Sequence, residues 1–218
     1  MKKKLSLIIN IIIFILTVFA SFIMFTGIKI THGAEPILET TKLGMFKFFT
    51  VDSNLFMGII ALLFIIKNKS ITKNMYRLKL MSTTSVTITL LVVLAYLAPI
   101  SEDGLKSMLQ NSNMFFHLII PVLSIINFTI FEKTEKLKMK DTLYGLIPTM
   151  IYALFYILNL IIHMENKKVS PIYDWYWFAQ NGIIQAIITA ITLIITTYII
   201  TLILWKLNKR RTKWYQNF

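Results

Sequence analysis

Two side chains in this sequence, Thr50 and His117, have the types that together carry out nucleophilic chemistry. A threonine hydroxyl is a weak nucleophile alone, and a neighbouring imidazole commonly takes its proton as it attacks an acyl carbonyl. Thr50 lies near the start of the run FKFFTVDSNLF, and His117 near the start of NMFFHLIIPVL. If both runs enter a membrane from the same side, the two side chains lie at similar depth, and we expect them to meet. The alternative is a structural histidine that only forms hydrogen bonds.

Further polar residues extend this candidate site. At 100° per residue, Ser53 and Asn54 share one helix face with Thr50, and the Asn54 amide is a candidate donor to an oxyanion. The alternative for this face is a packing seam, because small and hydroxyl residues let helices approach closely. Four polar residues around the start of the last apolar run are candidates for the same pocket: Tyr173, Asp174, Asn181 and Gln185. The alternative for that segment is an aromatic belt at the membrane surface.

Apolar runs are the elements that must position these residues. The 218-residue chain has 56% hydrophobic and only 15% charged residues, whereas soluble domains carry about 25% charged residues. A helix needs roughly 20 apolar residues to cross a membrane, and the runs lack the alternation of barrel strands. The sequence therefore predicts an all-α fold, one polytopic membrane domain over residues 1–218, with six transmembrane helices at Leu5–Gly27, Phe48–Ile66, Ser82–Ile100, Met114–Phe131, Leu143–Ile162 and Phe178–Trp205.

Basic residues are distributed unequally between the two ends of these helices. The N-terminus, the 67–79 and 132–141 segments and the C-terminal tail contain 17 of the 23 Lys and Arg residues and 3 acidic residues. The opposite connections, with Asp52, contain 6 basic and 7 acidic residues. Because Lys/Arg-rich loops stay in the cytoplasm, both termini are predicted to be cytoplasmic in a multi-pass protein of the cell membrane, with Thr50 and His117 near the outer face.

Several other function classes are disfavoured by the sequence. The net charge of +13 belongs to the connections, so we expect contacts with membrane lipids and no nucleic-acid partner. The absence of cysteine removes thiolate chemistry, and the three histidines, His32, His117 and His163, lack the paired spacing of a metal site. We therefore predict no metal and no cofactor, while the roles of His32 and His163 and the oligomeric state stay open.

Short motifs around these residues resemble the androgen-induced and androgen-dependent membrane proteins (the FAR-17a/AIG family) and the six-helix bacterial proteins called Pr6Pr. The matching pieces are FKFFT at Phe46–Thr50, the N-x-x-x-H-x-x-x-P segment from Asn113 to Pro121, and VSPIYDW before the last helix. One departure is Asn127, where the bacterial proteins often carry an aspartate.

The resemblance implies an intramembrane threonine hydrolase that cleaves fatty acid esters of hydroxy fatty acids. In that interpretation Thr50 is the nucleophile and His117 the base, and the substrate is a lipid ester. The alternative function is a non-enzymatic protein that binds or transports a lipid or small solute through the same outward-facing pocket, although the chain lacks the paired repeats typical of many transporters.

Overall fold

The computed structural model describes residues 2–132, 134, 136–166 and 168–214, without the side chains of residues 2 and 210–214. Six long helices form most of this part of the chain. Their bounds are α1 Lys2–Thr26, α2 Phe49–Ile66, α3 Lys73–Ile100, α4 Asn111–Phe131, α5 Met139–Ile162 and α6 Ile183–Trp214. Short helical turns occur at Lys42–Lys47 and Leu105–Met108, and two short antiparallel strands follow α5, β1 Met164–Glu165 and β2 Lys168–Val169.

The prediction of an all-α bundle is confirmed. All six helices are long and apolar enough to cross a membrane. Large apolar side chains remain exposed along the outside of the bundle, for example Phe22 at 57%, Ile151 at 64% and Ile188 at 59%. Such an apolar exterior suits a hydrocarbon solvent.

The predicted start of the last helix at Phe178 is wrong. The α6 helix begins five residues later, at Ile183. Two residues before it adopt positive φ angles, 56° at Trp177 and 97° at Gly182, which a right-handed helix does not accommodate. The Asp174 carboxylate also accepts backbone N–H groups within this segment. Residues 170–182 therefore form an irregular connection that folds over the end of the bundle.

Helix α3 is the central element of the bundle. It contacts α2, α4, α5 and α6, and its middle segment, residues 82–89, is buried without interruption. Hydroxyl groups within this segment donate to the helix's own carbonyls, as Thr87 does to Thr83 at 2.7 Å and Thr89 to Val86 at 2.8 Å. These bonds satisfy polar groups without a partner helix, so α3 can be surrounded by other helices on all sides.

The polar face of α2 is buried against several neighbouring helices, as expected for a packing seam: Asn54 donates to the Phe116 carbonyl on α4, and Gly58 faces Thr17 on α1. Thr50, Ser53, Asn54, Met57, Gly58 and Ala61 are all buried. A Cβ atom at Gly58 would lie 2.7 Å from Thr17 Cγ2 on α1. The missing side chain therefore allows the two helices to approach closely.

A wide turn interrupts α4 at Phe115–Ile119, the segment that carries His117. Pro121 follows it, and a proline has no N–H to donate to the carbonyl four residues earlier, which belongs to His117. Wide turns of this kind change the direction of side chains within a helix. The sequence therefore sets the local geometry around the histidine through its proline.

Candidate functional site

Thr50 lies in the first turn of α2 and borders a small apolar cavity of about 50 Å³. The residue is only 4% exposed. Residues of α2, α3, α5, α6 and the connection before α6 line the cavity. Its wall includes Thr50, Thr89, Leu97, Tyr152, Tyr176 and Leu193. The Thr50 side chain thus lies at the edge of a space whose other walls are mainly apolar and aromatic.

Tyr176 is the polar neighbour of Thr50 at this cavity. Burial raises the pKa of Tyr176 to about 12, because the phenolate loses its hydration, and the adjacent Thr50 and Tyr152 hydroxyls offset only part of this effect. The Tyr176 hydroxyl lies beside them but forms no well-aligned hydrogen bond among the described residues. At neutral pH it is therefore a neutral O–H donor beside Thr50.

Tyr152 takes part in a separate set of hydrogen bonds at this end of the bundle. Its hydroxyl donates to the Lys47 carbonyl at 2.6 Å and accepts from the Trp175 indole at 2.9 Å. The Tyr152 phenol therefore both donates and accepts a hydrogen bond. The Tyr152 hydroxyl is committed to Lys47 and Trp175, and the Tyr176 hydroxyl is the tyrosine donor beside Thr50.

His117 is completely buried, and neither of its ring nitrogens forms a hydrogen bond in the part of the chain that is described. Its imidazole faces the backbone of Thr89 on α3, and Thr89 also borders the cavity. The histidine itself is not part of the cavity wall. Thr50 and His117 therefore lie on elements that pack together, but no hydrogen bond joins their side chains.

Asn54 connects the helices that carry these two residues. Its amide nitrogen donates to the Thr50 carbonyl at 2.7 Å and to the Phe116 carbonyl at 3.0 Å. Both N–H groups of the amide are thus occupied, and an oxyanion could receive one of them only after a bond breaks. Ser53 likewise donates to the Thr50 carbonyl, at 3.0 Å. These two side chains hold the first turn of α2 and its approach to α4.

Asp174 organises the connection that carries Tyr176. Its carboxylate accepts the Tyr156 hydroxyl and, at 2.9 Å each, the N–H groups of Phe178 and Ala179. The residue is 4% exposed. It therefore fixes the positions of Tyr156 and Phe178, which both border the cavity.

The other three candidates lie outside the cavity wall. Tyr173 stacks on His163, with ring centroids 3.6 Å apart. The Gln185 side chain accepts the Asn181 backbone N–H at 2.8 Å, an arrangement that closes the start of α6. The structure thus brings Thr50 and Asp174 near one cavity and gives Tyr173, Asn181 and Gln185 local structural contacts.

The tyrosines of this site were not among the candidate residues predicted from the sequence. Tyr152 and Tyr156 are separated by four residues on α5, a spacing that puts both on one helix face, and this signal was available in the sequence. Tyr176 and Thr89 carry no comparable signal, because only the fold brings them to Thr50. No group of three His, Asp or Glu residues able to hold a metal occurs within the described ranges.

Comparisons of the chain with protein families, with curated proteins and with solved structures give no match. The class defined by the fold is an all-helical bundle with six helices long and apolar enough to span a membrane.

Proposed function

We propose that this chain is a multi-pass membrane hydrolase of lipid esters, of the type represented by fatty acid esters of hydroxy fatty acids, with Thr50 as the nucleophile. The observation that carries the proposal is the position of the Thr50 hydroxyl, which borders an apolar cavity and lies beside the Tyr176 hydroxyl. An ester carbonyl beside Thr50 would have an apolar space for part of its acyl chain and a donor for its oxygen.

The reaction would proceed through an acyl-threonine intermediate. Thr50 Oγ1 attacks the ester carbonyl as His117 takes its proton, and the Tyr176 O–H stabilises the oxyanion. The tetrahedral intermediate then collapses, the alcohol leaves with the proton from His117, and water hydrolyses the acyl-threonine. For this step the imidazole must approach Thr50 when the substrate binds, because no hydrogen bond joins the two side chains.

Two buried polar groups without partners support this assignment. A buried polar group without a hydrogen bond costs about 1–3 kcal/mol, and both His117 and Tyr176 contain such groups. They lie on the elements that surround Thr50. A substrate and its transition state would supply hydrogen-bond partners to these groups.

Labelling with a fluorophosphonate probe tests the nucleophile. We expect the purified protein to be labelled at residue 50, Thr50→Val to lose labelling, and Tyr176→Phe to react roughly 100-fold more slowly, as for loss of one oxyanion donor. Thr17→Val is the matched control, because that buried hydroxyl donates only to the Ile13 carbonyl within α1. Undiminished labelling of folded Thr50→Val would exclude Thr50 as the nucleophile.

The second candidate is a non-enzymatic protein that binds or transports a lipid or small solute at this cavity. The absence of a Thr50–His117 hydrogen bond favours it. This function predicts that the wild-type protein is not labelled by the probe and does not hydrolyse lipid esters, and that it still retains a lipid whose binding weakens when the cavity is filled, for example by Ala190→Phe.

The proposed orientation has both termini in the cytoplasm of a cell-membrane protein and Thr50 near the outer face. The Lys/Arg excess of the 67–79 and 132–141 segments supports it.

A further inference from the structure

A second polar site lies at the other end of the bundle, far along the helices from Thr50. We call this the basic end; it contains the start of α1, the α2–α3 connection and the end of α4. Lys79 on α3 is completely buried there. Its ammonium group donates to Asn10 Oδ1 on α1 at 2.6 Å and pairs with Glu132 Oε1 at 3.3 Å. A buried ion pair of this kind in an apolar helix bundle is expensive and commonly marks a functional site.

The two oxygens of the Glu132 carboxylate have very different surroundings. Oε1 accepts from Ser6 at 3.3 Å, Asn10 at 3.0 Å and Asn127 at 3.1 Å, in addition to Lys79. Oε2 is buried and has no hydrogen-bond partner among the described residues. Each carboxylate oxygen can accept about two hydrogen bonds. The carboxylate therefore retains unused acceptor capacity on one side.

Glu132 forms part of the wall of a cavity of about 500 Å³, ten times the volume of the space beside Thr50. Volumes of roughly 300–1,000 Å³ are typical of small-molecule sites. The inner wall contains buried Asn10, Phe64 and Glu132, and the rim contains exposed Lys3 and Asn68. The space thus leads from the exposed surface of the basic end to the buried ion pair.

The residues around this cavity carry both positive and negative charge. In the described part of the chain, the Lys3 ammonium has no carboxylate partner, and the Tyr76 hydroxyl and the Asn68 amide form no hydrogen bond. A purely anionic ligand would meet the free oxygen of Glu132, and a purely cationic ligand would meet Lys3 and Lys79. A ligand with both charges can pair with Glu132 and with Lys3 at once.

We propose that this cavity binds a phosphoethanolamine group, with its primary ammonium donating to Glu132 Oε2 and its phosphate accepting from Lys3 and Tyr76. The primary ammonium supplies N–H donors, which a quaternary choline group lacks. The group is neutral overall, so it adds no net charge beside the Lys79–Glu132 pair. Leu7 and Phe131 on the same wall offer apolar surface to the first carbons of an attached lipid.

Native mass spectrometry of the full-length protein tests this site. The protein is mixed with equal amounts of phosphatidylethanolamine, phosphatidylcholine and phosphatidylglycerol that carry identical acyl chains. We expect phosphatidylethanolamine to be retained roughly 10- to 100-fold more than phosphatidylcholine, the effect of one hydrogen bond to a charged group. Competition with glycerophosphoethanolamine, which carries the same neutral phosphodiester head group without acyl chains, distinguishes the source: displacement identifies the head group alone as a sufficient ligand, and persistence of the adduct identifies the intact lipid.

Lys3→Gln and Tyr76→Phe should each reduce the retention of both phosphatidylethanolamine and phosphatidylcholine, because both lipids carry the phosphate, and Glu132→Gln should abolish the preference for the ethanolamine lipid. Lys4→Gln is the matched control, because Lys4 is an exposed neighbour outside the cavity wall. Lys3 and Tyr76 are not part of the buried ion pair, so their variants test the site even if Glu132→Gln does not fold. Equal retention of the choline lipid, a preference for phosphatidylglycerol, or equal losses for Lys3→Gln and Lys4→Gln would overturn the proposal. Thr50 labelling is a separate readout, so failure here leaves the hydrolase proposal untouched.

Discussion

The buried polar side chains near Thr50 differ in how fully they are hydrogen-bonded. Asn54 and Asp174 are fixed by hydrogen bonds to the backbone and hold the turns on which the site depends. His117 and Tyr176 are buried with unused hydrogen-bonding capacity. Asn54 Oδ1 and several hydroxyls elsewhere in the bundle also lack a partner among the described residues. The position of Tyr176 beside Thr50, and of His117 on the helix that Asn54 ties to α2, therefore carries more of the argument than the missing partners do.

The Asp174→Asn variant tests whether the Asp174 carboxylate holds the connection before α6 in place. The amide replaces one acceptor oxygen with a donor that faces a backbone N–H group, so we expect a loss of about 1–3 kcal/mol in unfolding free energy. Denaturation of the purified protein measures it. Glu102→Gln is the control, because Glu102 is exposed and has no polar partner in the described chain. Equal stability of the two variants would show that Asp174 does not organise the connection before α6.

Helices α2 and α4 depend on each other for the geometry of the site. The Asn54 amide spans them, and the wide turn before Pro121 directs His117 toward α3. On its other side, α2 approaches α1 through Gly58. The position of Thr50 is therefore set by two neighbouring helices, and a change in either contact should affect it.

Gly58→Ala tests whether the close approach of α1 and α2 stabilises the protein. The new Cβ would lie 2.7 Å from Thr17 Cγ2, so the helices must separate, and we expect a destabilisation of about 1–3 kcal/mol. Thermal unfolding in detergent measures the change. Ile59→Ala on the outer face of α2, where the side chain is 58% exposed, should change stability much less. A Gly58→Ala protein as stable as wild type would mean that the contact is loose enough to relax.

The whole molecule combines an apolar exterior with a strong charge asymmetry between its two ends. The basic end includes the cavity beside Lys79 and Glu132, and the opposite end includes Thr50 and the aromatic connection before α6. If the basic end is cytoplasmic, the two proposed sites face opposite leaflets.

Single cysteines test this orientation, because the sequence contains no native cysteine. Ser70 and Glu102 are both exposed, and they lie at opposite ends of α3. A membrane-impermeant maleimide on intact cells should label Glu102→Cys and leave Ser70→Cys unlabelled until the cells are permeabilised. The reverse pattern would invert the orientation and place Thr50 near the cytoplasmic face.

Much of the helix pattern followed from local sequence, while the positions of polar partners did not. The bounds predicted for α2 agree with the structure to within one residue, since its apolar run coincides with the helix. For α6 the predicted start was wrong. The segment before Ile183 is apolar and aromatic, but the backbone has positive φ angles at Trp177 and Gly182, and the Asp174 carboxylate binds backbone N–H groups between them. Apolarity alone does not distinguish a helical turn from an irregular one.

By itself, the sequence determined an all-helical bundle with six apolar helices and the unequal charge of their connections, because these depend on composition and on periodicity along the chain. The tertiary structure decided which polar groups meet: Tyr176 beside Thr50, His117 against α3, and Lys79 paired with Glu132. These partners are separated by tens of residues in sequence. Their contacts depend on helix packing, rotation and irregular turns, which no local spacing specifies.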